Sequence, residues 1–390
     1  MTDTVRRPVP TSERSRRRVR GAASRRSVFL IVIIAMLLTI GLGAMLSASS
    51  VVSIKASSDQ FELFTKQLLW VGLGLAALVV ATFVPYHVWQ RLALPLYVAT
   101  IFGLLLTLIV GDTRGGATRW IVLGPITIQF AELAKFAVLS LLAAVLTKKA
   151  DLVADLRHVL VPLAAIIGTI GVLLLAQPDF GTLLLIIAPA FVMLAVSTVP
   201  VRYVLSLAAI GALAMTALAM SAPYRKARLL SFLDPFANAQ GSGLQAVQSM
   251  VALGTGGFFG VGLGQSRARW SWLPNAHTDF IFAIIGEETG FAGAAIVITL
   301  FALLAVVGVS IAFRAPDLYG RLLAVGIVAW LTIQALVNIG GVIAVLPITG
   351  VPLPFISNGG NAMLINLFAI GVLLNISRSS DPTAAERDAS

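Results

Sequence analysis

Residues 27–47 read SVFLIVIIAMLLTIGLGAMLS, an apolar run without a single charged side chain. A helix of this length crosses the roughly 30 Å of hydrocarbon in a bilayer. A basic segment followed by an apolar run can also be a cleaved signal peptide, here with a site near Ala44–Ala48. More runs of the same kind follow, so we interpret this one as a retained first transmembrane helix.

Nine further apolar runs of membrane length lie downstream, at residues 66–84, 92–110, 131–147, 158–176, 181–198, 201–220, 280–313, 321–346 and 355–376. The sequence therefore predicts an all-α polytopic membrane protein with about ten transmembrane helices in residues 27–376. A disordered basic tail, 1–26, precedes them and a short tail, 377–390, follows. The eighth run is too long for one straight span, so we expect it to tilt or to begin in a partly solvated site.

The composition excludes most other protein classes. Of 390 residues, 58% are hydrophobic and 12% are charged, whereas soluble domains carry about 25% charged residues. A cytosolic enzyme, a disordered chain and a disulfide-rich secreted scaffold are therefore excluded. The chain has no cysteine and only three scattered histidines, at 87, 158 and 277, so we expect no disulfide, no thiolate nucleophile and no His-based metal cluster.

Basic residues in the loops predict the orientation of the spans. With the N-terminus in the cytoplasm, 18 of the 28 lysines and arginines lie inside, nine lie outside, and Lys135 lies within a span. Half of the inner ones are arginines of the N-terminal tail, and the short inner loops agree with them. Ten spans then place both termini in the cytoplasm.

One long loop, 221–279, separates spans seven and eight, and this orientation places it outside. It carries five basic residues, including Arg225 and Arg228, against Asp234 and Asp279. Long loops escape the charge rule, which would explain the excess without any function. Alternatively, the excess forms a cationic outer surface that attracts an anionic ligand.

The middle of this loop, Val247–Gly264, is apolar and rich in glycine. It is too short for a full span, so we expect it to dip into the outer leaflet or to lie along it. Its glycines resemble a G-x-G-x-x-G phosphate loop, but no strand precedes them. Close packing of the backbone is the favoured explanation.

Ionisable residues within or beside the spans are few, and such residues are expensive in a membrane. They are Glu132 and Lys135 on one face of span four, Asp179 between spans five and six, and the pair Glu287–Glu288 in span eight. Several of them fall in the outer half of the membrane, which predicts a shared cavity open to the outer leaflet. Structural ion pairs that fix helix packing are the alternative.

Asp279 lies where a polar loop becomes an apolar helix, in Leu273–Phe280 (LPNAHTDF). An aspartate at this place can simply cap the helix. It can also act as a general base on a hydroxyl if a nearby cation keeps it ionised. The basic residues of its own loop and Lys135, which shares its depth, are the candidate cations.

Eight motifs occur in order along the chain: Arg119–Gly124 (RWIVLG), Glu132–Lys135 (ELAK), Gln177–Thr182 (QPDFGT), Phe232–Pro235 (FLDP), Gly260–Gly264 (GVGLG), His277–Ala283 (HTDFIFA), Gly286–Gly290 (GEETG) and Leu346–Ser357 (LPITGVPLPFIS). With them the chain resembles the SEDS family (shape, elongation, division and sporulation) from about Phe29 to Arg378. The run from His277 to Glu288 favours the cell-division branch over the elongation branch.

Three short stretches depart from the family pattern. The chain has Gln129–Glu132 (QFAE) where the family has Gln-Pro-Ser-Glu, and Asn275 where it has Glu. It also has Asn358–Asn361 (NGGN) where the family has Tyr-Gly-Gly-Ser. The motifs of Asp279 and Arg119 are intact, so we expect an active enzyme.

The resemblance implies a peptidoglycan glycosyltransferase that polymerises lipid II from the outer leaflet of the bacterial cytoplasmic membrane, at the division septum. It implies Asp279 as the catalytic base. The expected substrate-binding residues are Arg119, Glu132, Lys135, Gln177, Asp179, Arg225, Arg228, His277 and Ser357. The expected partners are a class B penicillin-binding protein and other membrane proteins of the divisome, not nucleic acid. No cofactor is certain, and a divalent Mg or Mn ion at the pyrophosphate is compatible with the chemistry.

Two other functions compete with this one. A lipid II flippase would line its path through both leaflets with polar groups, whereas the inner halves of these spans have almost no ionisable residues. A pure division scaffold would leave the outer polar residues unexplained. Both observations favour the enzyme.

Overall fold

Long helices make up most of the protein. The computed structural model describes residues 12–56, 61–114, 116–124, 126–152, 156–221, 223–241, 243–268 and 278–380. Within these residues the α-helices are α1 (Ser12–Ala56), α2 (Glu62–Phe83), α3 (Tyr86–Val110), α4 (Phe130–Lys148), α5 (Leu156–Ala176), α6 (Phe180–Val196), α7 (Val201–Met220), α8 (Pro223–Leu233), α9 (Leu244–Gly256), α10 (Ile281–Ala312), α11 (Leu318–Val342) and α12 (Gly360–Ser379).

Eight helices in the described part of the chain are long and apolar enough to cross a membrane, namely α1, α2, α3, α4, α7, α10, α11 and α12. Two more apolar helices, α5 and α6, have shorter apolar stretches, Val161–Ala176 and Phe180–Val196. A mostly helical polytopic membrane protein is thus confirmed. The count of ten spans and the side on which the long loop lies stay predictions.

A small β-sheet between α3 and α4 corrects the all-α prediction. Its strands, β1 (Asp112–Arg114), β2 (Ala117–Leu123) and β3 (Ile126–Ile128), pair antiparallel in the order β1–β2–β3. Gly116 and Gly124 adopt positive φ at the two turns, which costs glycine little. The strands are too short to stand out among apolar runs of membrane length.

The N-terminal boundary also differs from the prediction, because α1 begins at Ser12 rather than near residue 27. Arginine and alanine favour helix, so the basic segment continues the first apolar helix instead of forming a disordered tail. Residues 1–11 and 381–390 lie outside the described part of the chain.

The long eighth run is one helix with a break. Gly290 interrupts α10 with φ 68° and ψ −165°. On the far side of the break, the N–H groups of Phe291 and Ala292 donate to the carbonyls of Gly257 and Phe258. The glycine-rich segment therefore packs closely against backbone, as the sequence predicted, and that backbone belongs to α10. The break at Gly290 means that α10 is not one straight helix.

The loops gather at two ends of the helix bundle. At one end, Asn361 at the start of α12 donates to the carbonyl of Thr127 in β3. At the other end, Tyr86 at the start of α3 donates to Asp317, which caps α11. Helices α4 and α11 lie mostly buried at the centre, whereas α7 is almost fully exposed at the periphery.

Candidate active site

A buried ion pair lies near the start of α4. The Lys135 ammonium is 2.7 Å from a carboxylate oxygen of Glu132, one turn earlier on the same face. Lys135 is 1% exposed and Glu132 5% exposed, so the pair is sealed inside the protein. The sequence placed both residues on one helical face, and the structure shows that they hold each other.

Two amides of α11 continue this polar group toward Asp279. Gln334 accepts hydrogen bonds from Lys135 at 3.3 Å and from Trp330 at 2.9 Å, and it donates to the carbonyl of Pro352. One turn later, Asn338 donates to the backbone carbonyls of Asp279 and Val351, both at 2.8 Å. Helix α11 therefore connects the ion pair to the backbone of Asp279.

Asp279 itself stands in the turn that leads into α10, half-buried beside a small cleft. The cleft measures about 190 Å³ including its open mouth and is lined by Asn338, Gly341 and residues 348–351 among others. Phe280 is the N-cap residue of α10, so Asp279 lies one residue before the cap position.

The Lys135 ammonium pairs with the Glu132 carboxylate, which agrees with their predicted place on one helical face. A pairing of Lys135 with Asp279 stays a prediction. Gln334 and Asn338 of α11 connect Lys135 to the backbone of Asp279.

A second polar group joins β2 to the turn between α5 and α6. Arg119 donates to the carbonyls of Gln177 and Pro178, and its guanidinium is 3.8 Å from a carboxylate oxygen of Asp179. Asp179 also caps α6 through the N–H and hydroxyl of Thr182. The predicted residues Arg119, Gln177 and Asp179 are thus brought together.

The side chains of two predicted substrate-binding residues are buried and form hydrogen bonds with the protein backbone. The Gln177 side-chain amide is fully buried and donates to the carbonyl of Leu104. The Ser357 hydroxyl, also buried, accepts from the N–H of Leu353 within its own loop. In this structure both side chains stabilise the ends of neighbouring helices and loops.

The remaining predicted residues lie in the long loop. Arg225 and Arg228 belong to α8. His277 lies outside the described residues. In the part of the chain that is described, no group of three or more His, Asp or Glu side chains could hold a metal ion.

The two glutamates of α10 make different contacts. The Glu288 carboxylate accepts from the hydroxyl of Ser47 on α1. The Glu287 carboxylate accepts from the hydroxyls of Thr255 and Ser266 and from the N–H groups of Arg267 and Ala268. Both carboxylates are buried, and both fix segments of the chain to α10.

Sequence reasoning missed Trp330, Gln334 and Asn338. Neutral polar residues in a long apolar run do not stand out as charges do, although buried amides in membrane helices often join neighbouring helices. The two amides in span nine were the available signal. They are what connects α4, α11 and the segment before α10.

Comparison with known proteins agrees with this architecture. The sequence profile of the family described as "Cell cycle protein", which covers FtsW, RodA and SpoVE, matches residues 28–381. The chain belongs to this family. The resemblance to SEDS proteins found in the sequence is thereby confirmed.

Relatives with curated names are similar over most of their length. The chain is 41% identical to stage V sporulation protein E of Bacillus subtilis, over 90% of this chain and 97% of the relative. It is 39% identical to the "Probable peptidoglycan glycosyltransferase FtsW" of Geobacter sp. strain M18, over 89% and 96% of the two chains. These names confirm the predicted class of enzyme.

Solved structures of SEDS proteins share the fold. One is a chain of a peptidoglycan synthase complex studied for the coordination of polymerization and crosslinking, with a TM-score of 0.75 and 30% identity over 90% of this chain and 98% of that one. Another is the rod shape determining protein RodA of Thermus thermophilus, with a TM-score of 0.67 and 29% identity over 90% and 95%.

Proposed function

We propose that this SEDS protein polymerises lipid II into glycan strands at the outer face of the cytoplasmic membrane during septal cell-wall synthesis. The names of its relatives support the activity. The observation that carries the assignment of the site is the position of Asp279, which is half-buried beside a cleft in the turn before α10 and whose backbone carbonyl accepts from Asn338.

The proposed reaction is an inverting displacement. The hydroxyl of one lipid-linked sugar attacks the anomeric carbon of the growing strand, and the bond from that carbon to the pyrophosphate oxygen breaks. The Asp279 carboxylate takes the proton of the attacking hydroxyl. Undecaprenyl pyrophosphate leaves as an anion, so no second carboxylic acid is required, unlike in glycoside hydrolysis.

Cations near the leaving group stabilise its developing charge. Arg119 is partly exposed beside Asp179, and Arg267 is exposed on the long loop. Lys135 is sealed against Glu132 and Gln334, so we assign it to holding the site together rather than to direct contact with pyrophosphate. The described residues offer no cluster for a divalent ion, and we derive no step through a metal.

The topology and the partner complete the proposal. If ten spans cross the membrane with both termini inside, then the small sheet β1–β3, the long loop and Asp279 lie at the outer surface, where lipid II is presented. The contacts of the small sheet with the start of α12 and with the turn between α5 and α6, at one end of the bundle, support this arrangement. The similarity to a chain of a peptidoglycan synthase complex supports a class B penicillin-binding protein as the partner.

Polymerisation of purified lipid II by the purified protein, alone and with that partner, tests the proposal. Glycan strands in either reaction, and none without the protein, are the expected result. Transport of lipid II across vesicles without strand formation under both conditions would instead support the flippase.

A further inference from the structure

Glu287 holds a loop closed on α10. Its carboxylate binds Thr255 near the end of α9 and, on the other side, the consecutive residues Ser266, Arg267 and Ala268. The N–H groups of Arg267 and Ala268 lie 3.0 and 3.2 Å from its two oxygens. The Thr255 hydroxyl donates at 2.8 Å to the carbonyl of Ala252 and lies 3.4 Å from Glu287, so the end of the segment 255–268 that this side chain fixes firmly is 266–268.

A carboxylate suits this task better than an amide does. The Ser266 hydroxyl and the N–H groups of Arg267 and Ala268 donate to its two oxygens, and the two backbone N–H groups cannot turn away. Glutamine would place an NH₂ group against at least one of these donors and would leave it without an acceptor. Burying a carboxylate is costly unless it is satisfied in this way.

The Arg267 side chain is exposed although its backbone is fixed. Glu287 lies before the break at Gly290, in the part of α10 that begins at Ile281.

Asp279 lies about two turns before Glu287, roughly 10 Å along this part of the helix. The backbone of Arg267, which is held at Glu287, is therefore separated from the proposed base by a distance of that order. In a lipid-linked sugar, the pyrophosphate and the sugar hydroxyls are likewise neighbouring groups.

We infer that Glu287 is a positioning residue that fixes the backbone of Arg267 so that the Arg267 guanidinium donates to the substrate's pyrophosphate near the catalytic base. The inference rests on the proposed function for the identity of the substrate. Arg267 donates to a pyrophosphate oxygen, and Glu287 acts only through Arg267 by fixing its backbone.

The test is a double-mutant comparison on the full-length protein with purified lipid II. We expect Arg267→Ala to raise KM about tenfold with kcat little changed, because a charge-assisted donor to the bound substrate is lost. Glu287→Gln should raise KM by a similar factor. The combination should be no worse than about tenfold, since both changes remove the same contact.

Glu288→Gln is the matched control, because it is the neighbouring buried glutamate and glutamine still accepts from Ser47; its KM should stay within about twofold. If Glu287→Gln does not fold, Ser266→Ala replaces it, with a KM increase that disappears in the Arg267→Ala background. An unchanged KM in Arg267→Ala, or effects that multiply in the double variant, would overturn the inference.

Binding of undecaprenyl pyrophosphate separates this inference from the proposed function, because it requires no turnover. If the wild-type protein binds this lipid more tightly than Arg267→Ala does but makes no glycan strands, the proposed function fails and the inference stands. If strands form and the two proteins bind the lipid equally, the inference fails alone.

Discussion

At the scale of single residues, the Glu132–Lys135 pair has the clearest energetic consequence. Removing one member of a buried ion pair costs about 3–5 kcal/mol, because it leaves an uncompensated charge, whereas replacing both can be neutral. We therefore expect Lys135→Met to lower the free energy of unfolding by about that much. The double variant Lys135→Met with Glu132→Gln should regain most of the loss.

Thermal unfolding of the purified proteins in one detergent measures both variants. If the double variant is as unstable as Lys135→Met alone, the pair is not the source of the loss. Activity provides a second readout, because a stable but inactive double variant would show that the charge of Lys135 serves the reaction as well as the fold.

For Arg119 we expect an effect on substrate use. Unlike the buried Glu132–Lys135 pair, Arg119 is partly exposed, and its guanidinium faces three oxygens of the Gln177–Asp179 turn. Arg119→Ala should reduce the use of lipid II about tenfold through loss of a charge-assisted donor. Arg119→Lys should be intermediate, because lysine keeps the charge but not the planar fork. Wild-type kinetics in both variants would place the pyrophosphate at Arg225, Arg228 or Arg267 instead.

At the scale of single residues, the sequence indicated the charged residues but not the neutral amides. Charged residues in apolar runs are conspicuous, so Asp279, Lys135, Glu132 and Asp179 were found directly. Gln334 and Asn338 were missed because an uncharged amide barely changes the hydropathy of a span. The Glu132–Lys135 pair follows from their spacing on one helix, whereas the contacts of α11 with the segment before α10 depend on distances between helices, which sequence spacing does not give.

At the scale of elements, the glycine-rich segment and α10 depend on backbone contact. A Cβ at Gly260 would collide with the carbonyl of Glu288, and Gly260 has φ 82°. Gly254, on α9, has open space around its Cβ position. We expect Gly260→Ala to destabilise the protein strongly and to abolish polymerisation, because the backbone of α10 cannot move away.

Gly254→Ala is the control and should be neutral or more stable by up to about 1 kcal/mol, since alanine favours helix more than glycine does. Melting temperatures of the two variants decide the matter. Equal stability of both would mean that the segment is not packed on α10 as the structure shows.

The small sheet β1–β3 was not predicted, although its sequence carries a strand signal. Residues 112–128 contain β-branched and aromatic residues between glycine turns, which is a strand signal. The strands are only three to seven residues long, and they stand between two apolar runs of membrane length. The hydropathy of these neighbouring runs hides the strand signal. The small sheet is nevertheless the element that brings Arg119 close to Asp179.

At the scale of the whole molecule, the apolar runs alone were enough to predict a polytopic helical membrane protein. Each predicted run falls on a helix of the structure. The long eighth run showed that one helix exceeds a span, but the position of its break depends on contact between Gly290 and the glycine-rich segment. Such contacts between distant segments are not encoded in local hydropathy.

Orientation gives a prediction at this scale. A reporter fused after Ser390 should be cytoplasmic, and a tag near Gln240 in the long loop should be accessible from outside, because 18 of 28 basic residues fall on the inner side. Labelling with a membrane-impermeant reagent in intact cells measures the second position. Both positions on one side would contradict the ten-span topology.

The most direct test of the whole account is Asp279→Asn, assayed by glycan-strand formation from labelled lipid II. Asparagine keeps the size and capping ability of aspartate but cannot take a proton, so polymerisation should fall by roughly 10²–10⁴-fold. Membrane insertion, partner binding and thermal stability should remain near those of the wild type. An Asp279→Asn protein that polymerises at more than about a tenth of the normal rate would contradict the assignment of the catalytic base.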